Sequence, residues 1–302
     1  MRKRSYLLLL SISIFIALPT FAQEIVKPFR IGVILALSGD LANFGKYVQQ
    51  GVELSLQHLS DKERSLIEIE WQDDQFKPAQ SVSAYRSMMA KAPLDAVLYL
   101  GSSPGHALAP LTERDSVLSI GVGASDGSIV KDRKLSFLHW ITPDDEAVAV
   151  VKELTKKGYR RVAIVAHEKE GPQAIVKAIV KHLDEGGVGM PRVVFEEALP
   201  VDSKDYRSLI SKLRKTRPEV IFTLLFPGSV ASFVRQVRDL GETADLCSVE
   251  AFEDKDEVLA AGDALKGAWY ITGSTGSDEF VGMFLAKFGV EPAWAAANAF
   301  DA

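Results

Sequence analysis

The chain has 302 residues, 47% of them hydrophobic and 25% charged, with a formal net charge of −5. That mixture belongs to soluble globular proteins and excludes disordered, collagenous and coiled-coil chains. At roughly 150 residues per domain the length predicts two lobes, each able to bury a core without disulfide or metal staples. A mildly acidic body without a block of Lys or Arg offers nothing to nucleic acid, whose binding rests on phosphate neutralisation.

The first 22 residues combine a basic start (Arg2, Lys3, Arg4), an apolar run from Tyr6 to Leu18 and the small residues Thr20 and Ala22. These are the parts of a secretory signal peptide, and the run falls short of the ~20 apolar residues of a membrane span. Cleavage is expected after Ala22, leaving a freely diffusing periplasmic monomer. The single cysteine, Cys247, forbids an internal disulfide, and none stands at the signal junction to carry a lipid. The five histidines (His58, His106, His139, His167 and His182) never fall at a ligand spacing, so neither a metal nor a cofactor is expected.

From Phe29 onward, short β-branched runs alternate with segments of helical period, the pattern of an α/β chain with parallel sheets and crossover helices. Strands are expected at 30–37, 65–73, 96–101, 118–123, 161–167, 192–199, 219–226, 245–250 and 268–273. Helices are expected at 44–59, 78–92, 104–115, 144–157, 172–185, 205–216, 229–240, 278–288 and 292–302. Within 144–157, for example, Val151, Leu154 and Thr155 share one face while Lys152, Glu153, Lys156 and Lys157 take the other. The rhythm breaks between Gly121 and Thr142 and again at Gly273 to Ser277, where turn chemistry intervenes. Those breaks divide the chain into a first lobe, 23–141 plus 275–302, and a second lobe, 142–274.

The opening stretch from Ile31 through Ser38-Gly39 to Phe44-Gly45, followed by Gly51, resembles the first strand and loop of the periplasmic leucine/isoleucine/valine-binding proteins of ABC importers. Asp73-Asp74-Gln75, the run from Gly101 to Ala109, the run from Arg235 to Gly241 and the stretch from Pro292 to Ala302 follow in the family's order. The resemblance covers nearly the whole chain after the leader. It implies the type I periplasmic binding fold: two flavodoxin-like lobes, joined by a hinge of crossover segments, that close on a small ligand. It also implies closing strands and helices beyond Ala302, so a longer or otherwise completed protein is expected, and the last helix, apolar on every side, is expected to be buried.

Carried across by that resemblance, the ligand's carboxylate falls to Ser102, Ser103 and Ser125, its ammonium to Glu250, and its cover to Phe44, with Trp294 a further aromatic candidate. The residue chemistry agrees. Ser103-Pro104 reads as the N-cap and N1 pair of helix 104–115, which would turn free N–H groups and a positive dipole end toward the crevice. Glu250 follows a strand, where open α/β sheets bind ligands. One departure is Glu170-Gly171, where many members have Tyr-Gly; a carboxylate at the side-chain end of the pocket would be poor company for leucine.

Two other functions fit parts of the chain. Gly123-Ala-Ser125-Asp-Gly127 satisfies the Gly-x-Ser-x-Gly pattern of a serine hydrolase, but a charged, turn-like segment follows it in place of the required helix, and the later histidines read as strand or helix surface. A ligand-sensing domain docked to a membrane receptor would share the same fold and pocket. The expectation adopted is a periplasmic solute-binding protein, not an enzyme, that delivers an amino acid or similar small polar solute to a membrane ABC permease. Docking on lobe one would precede engagement of Glu250 on closure.

Overall fold

A computed structural model describes residues 27–302; the signal peptide expected at 1–22 lies outside them. Two all-parallel sheets of five strands are formed. The first takes β1 (Phe29–Leu35), β2 (Ile67–Asp73), β3 (Ala96–Leu100), β4 (Leu118–Val122) and β5 (Ser136–His139) in the order β2-β1-β3-β4-β5. The second takes β6 (Arg161–His167), β7 (Arg192–Leu199), β8 (Val220–Leu224), β9 (Asp245–Ser248) and β10 (Trp269–Tyr270) in the order β10-β9-β8-β6-β7. Read from its other end, the second order repeats the first. In each sheet the chain moves outward from the first strand to the second and then returns to the other side for the third, so both have a switch point at which ligands bind.

The central strands carry the reason for this layering. Residues 96–100 (AVLYL) and 220–224 (VIFTL) are buried along their whole length, as strands covered by helices on both faces must be. Successive residues serve opposite faces: Val33, Leu35 and Leu98 join one core layer of the first lobe, whereas Ile34, Val97 and Tyr99 join the other. Each fully buried side chain of this size contributes about 1.5–3 kcal/mol.

Helices α1 (Ala42–His58), α2 (Asp61–Arg64), α3 (Pro78–Lys91) and α4 (Ser102–Arg114) accompany the first sheet. The second has α5 (Pro143–Lys156), α6 (Glu170–Glu185), α7 (Arg207–Lys215), α8 (Val230–Asp239) and α9 (Lys255–Ala261). After β10 the chain forms α10 (Asp278–Phe288) and α11 (Ala296–Asp301), which return to α1, where Leu54, Phe280, Phe284 and Ala296 form a small core.

Four features depart from expectation. The strand expected at 268–273 keeps only two residues, and the helix expected at 292–302 begins at Ala296, after a left-handed residue at Ala295. That last helix is also not buried all round, since Asp301 and Ala302 are exposed. Finally, α2 forms although its period is too short to register; Ser60 and Glu63 make a reciprocal capping box around it. Among the described residues no helix is long and apolar enough to cross a membrane, and Cys247 is buried.

Candidate ligand-binding cleft

A cleft lies where the carboxyl ends of both sheets face each other. The first lobe lines it with Leu41, Phe44, Phe76, Gly101, Ser102, Ser103, Gly123 and Ser125, and the second with Gly171, Ile175, Leu224, Phe226 and Glu250; Trp294 closes one side. Most of these side chains are apolar, so the cleft suits a solute with an apolar body. Six of the seven expected site residues line it. Glu170 does not, although its neighbour Gly171 does.

Aromatic placement follows from local chain chemistry. Asp74 is fully buried and accepts hydrogen bonds from the Phe76 N–H (2.8 Å) and the Ser81 hydroxyl (2.6 Å), while Asp73 accepts from the Gln75 N–H (3.0 Å). These bonds hold Gln75 and Phe76 in left-handed conformations, which project the Phe76 ring over Gly101. Gly101, at φ 76° and ψ 171°, occupies a region open to glycine, and a Cβ there would stand 2.4 Å from the Phe76 ring. Gly123, at φ 64°, has the same need: its Cβ would meet the Trp294 ring at 2.2 Å. Trp294 in turn stacks on Phe44 with ring centroids 4.5 Å apart, and Phe76 meets Phe226 of the other lobe edge-on at 5.6 Å.

At the serine end, α4 opens at Ser102 with Gly101 as its N-cap residue. Ser103 is therefore inside the first turn and is not the cap that the Ser-Pro pair suggested. The Ser102 hydroxyl accepts from the N–H groups of Ser125 (3.0 Å) and Asp126 (3.2 Å), fastening the β4 turn to the helix start. The Ser103 hydroxyl donates across the lobes to the Glu170 carboxylate at 2.5 Å. Glu170 thus stands at this end, against the opening of α4, and not at the side-chain end of the cleft. Burial works against its charge, but the bonds from Ser103 and its own N–H, with His106 and Lys169 nearby, outweigh that and hold the carboxyl below its usual range.

The opposite end is acidic and short of partners. Glu250 opens the single 3₁₀ turn that follows β9 and is buried. Burial lifts its carboxyl to about 7; its own N–H and the Trp294 indole pull it down, and Glu253 adds to the rise. Beside it is Glu146, a first-turn acid of α5 that points inward, is 3% exposed, and has no hydrogen-bond partner at either carboxylate oxygen. Burial and then the Glu250 charge push Glu146 well above the usual carboxylate range, against the pull of the Trp140 indole. Neither indole N–H, of Trp140 or Trp294, completes a hydrogen bond, and their rings lie 5.2 Å apart.

Three residues missed in the sequence shape the cleft: Phe76, Phe226 and His167. His167 is fully buried at the end of β6, not on a strand surface as expected, and its Nδ1 accepts the Phe226 N–H at 3.0 Å. Burial, with Lys204 and Lys169 nearby, lowers it to about 4, so the neutral ring fixes the loop bearing Phe226. Ser125 leads into one 3₁₀ turn (Gly127–Ile129), not a helix, and among the described residues no histidine bonds its hydroxyl; His106 bonds Asp126 at 2.7 Å. A nucleophile elbow needs both of the missing features. Among the described residues no three His, Cys, Asp or Glu side chains group as a metal site would. The lobes also meet at Asn43, which donates to Asp254 (3.1 Å) and Asp256 (2.9 Å).

The family model described as periplasmic binding protein matches residues 28–302. The chain belongs to the periplasmic binding protein family. It is 22% identical to the Leu/Ile/Val-binding protein BraC3 of Rhizobium johnstonii over 259 residues, which are 84% of this chain and 70% of the relative. In fold it is similar to the leucine-binding protein LivK of Thermotoga maritima, with TM-score 0.80 and 20% identity over 90% of this chain and 79% of that one. It is also similar to a solute-binding protein of an ABC transporter from R. palustris in complex with 4-hydroxybenzoate, with TM-score 0.78 and 21% identity over 91% and 78%. Members of the family bind small solutes for ABC transporters, and membership implies export to the periplasm.

Proposed function

We propose that this chain is the periplasmic receptor of an ABC importer for an amino acid or similarly sized solute that carries an ammonium group on an apolar body. The observation that supports this best is the pairing of an apolar cleft between two lobes with a buried acidic end at Glu250 and Glu146, to which no Lys or Arg among the described residues is paired. A buried carboxylate pair is costly unless a cation meets it, and an ammonium supplies charge-assisted hydrogen bonds that do so.

In this reading Phe44, Trp294, Phe76 and Phe226 hold the apolar body, and Ser102, Ser103 and Ser125 with the opening of α4 form the opposite wall. Closure follows from differential contact. Solute resting on the first lobe gains Glu250, Phe226 and Ile175 only when the second lobe swings onto it, which shifts the hinge equilibrium. The lobes are taken as 23–141 plus 275–302 and 142–274, the mature chain as a monomer starting after Ala22, and the partner as a membrane permease. Native mass spectrometry of protein released from the periplasm tests the reading. A bound solute of amine character is expected; protein that carries, and takes up, only anionic solutes would overturn it.

A further inference from the structure

The resemblance would bring a ligand carboxylate to the serine end of the cleft, yet here one of the chain's own carboxylates already accepts from Ser103 there. The Ser102 hydroxyl accepts two backbone N–H groups, one of them that of Ser125, a proposed ligand donor. The Ser103 hydroxyl donates to Glu170 at 2.5 Å, a contact between residues 67 apart in sequence and on opposite lobes. The helix that carries Glu170 abuts the helix that carries the serines: a Cβ on Gly171 would stand 3.1 Å from the Ser102 hydroxyl. A carboxylate therefore faces the positive end of α4 when the lobes meet.

We propose that Glu170 is a built-in carboxylate that, bonded to Ser103, sets a negative charge behind this end of the cleft, so that the solute is an amine without a carboxyl group, an alkylamine or arylalkylamine, and not an α-amino acid. This rests on the reading of the cleft as the solute site. A second carboxylate brought to the same place would meet the Glu170 charge and compete with it for the Ser103 hydroxyl, and like charges at close range disfavour each other's ionised form. Among the described residues the cleft is lined by no Lys, Arg or His side chain, its one charged lining residue is Glu250, and Glu146 lies behind it. The apolar walls between the two ends fit the hydrocarbon part of such an amine.

Matched pairs differing only in the carboxyl group test this. Isoamylamine against leucine, and 2-phenylethylamine against phenylalanine, with benzoate as an anion, are titrated calorimetrically into the mature protein and into Glu170→Ala and Glu170→Gln. The wild type is expected to bind at least one amine tenfold or more tightly than its amino acid. Glu170→Ala should shift that ratio toward the amino acid by roughly ten- to a hundredfold, the range for gaining hydrogen bonds to a charged group. Glu170→Gln, which keeps the Ser103 bond and removes the charge, should shift it in the same direction.

A wild type that prefers the amino acid, or a ratio that neither variant moves, overturns the amine assignment while leaving the cleft as a solute site. If Glu170 were only a clasp between lobes, both members of a pair would weaken together, which also overturns it. Silence with all five compounds, or binding of benzoate alone, rejects the amine class, and the solute-site reading is then judged separately by what the periplasmic protein carries in native mass spectrometry.

Discussion

At the serine end of the cleft the hydroxyls of Ser102 and Ser103 are committed to partners within the chain, whereas at the acidic end Glu146 has no partner at either oxygen and the Trp140 and Trp294 N–H groups are equally unpaired. Both ends are buried, so the difference is not one of solvent. Buried polar groups that are satisfied rigidify a wall; buried ones that are not hold free energy that an incoming partner can recover. The comparison assigns the serine end to shaping and the acidic end to recognition.

The largest effect expected from this contrast is on stability against pH. The Glu250 carboxyl is raised in the folded protein to about 7 from an ordinary value of 4.5, so the folded state holds its proton more tightly than the unfolded chain. The stabilisation is therefore fully present below about pH 4.5 and lost as pH rises through about 7, on the order of 3 kcal/mol at 1.36 kcal/mol per unit. Glu146, raised by burial and by Glu250, acts with the same sign, and Glu253 and Asp145 strengthen it. His167, lowered to about 4, acts in the opposite sense up to about pH 6.5 but is common to wild type and variant, so the difference isolates the acidic end: in urea denaturation of solute-free protein the stability of the wild type relative to Glu250→Gln should fall between pH 5 and pH 8. A difference that stays constant over that window would mean that Glu250 is already neutralised within the chain.

A smaller effect is expected at the other end. Ser102→Ala leaves the Ser125 and Asp126 N–H groups without their acceptor, a loss of about 1–3 kcal/mol that should be independent of pH between 5 and 8. Denaturation midpoints at two pH values check this. A loss that grows with pH would couple the two ends and break the distinction between them.

How much of this could be seen in the sequence depends on how local its cause is. Strands β6 and β7 have the limits expected from their β-branched runs, because an apolar strand in a covered sheet is a local signal. The start of α4 was misplaced by two residues because Ser103-Pro104 has the chemistry of a cap, while the cap residue is Gly101, whose positive φ and close approach to the Phe76 ring leave no room for a side chain. Glu250 was legible from its place after a strand. Glu146 was not, since an acid in the first turn of a helix is the ordinary complement to the dipole and only tertiary packing turns it inward. Glu170 was visible as a departure, but its partner lies on the other lobe, and no local pattern points to Ser103.

Proton release on binding tests the central claim most directly. If a cation takes the place of the proton held by the Glu250 and Glu146 end, titration of the best-binding amine at pH 6, repeated in buffers of different ionisation enthalpy, should release about one proton per solute. The affinity should rise toward pH 8. In Glu250→Gln the release should diminish and the affinity fall roughly ten- to a hundredfold. Binding with no proton released, and with the same dissociation constant in Glu250→Gln, would contradict the account.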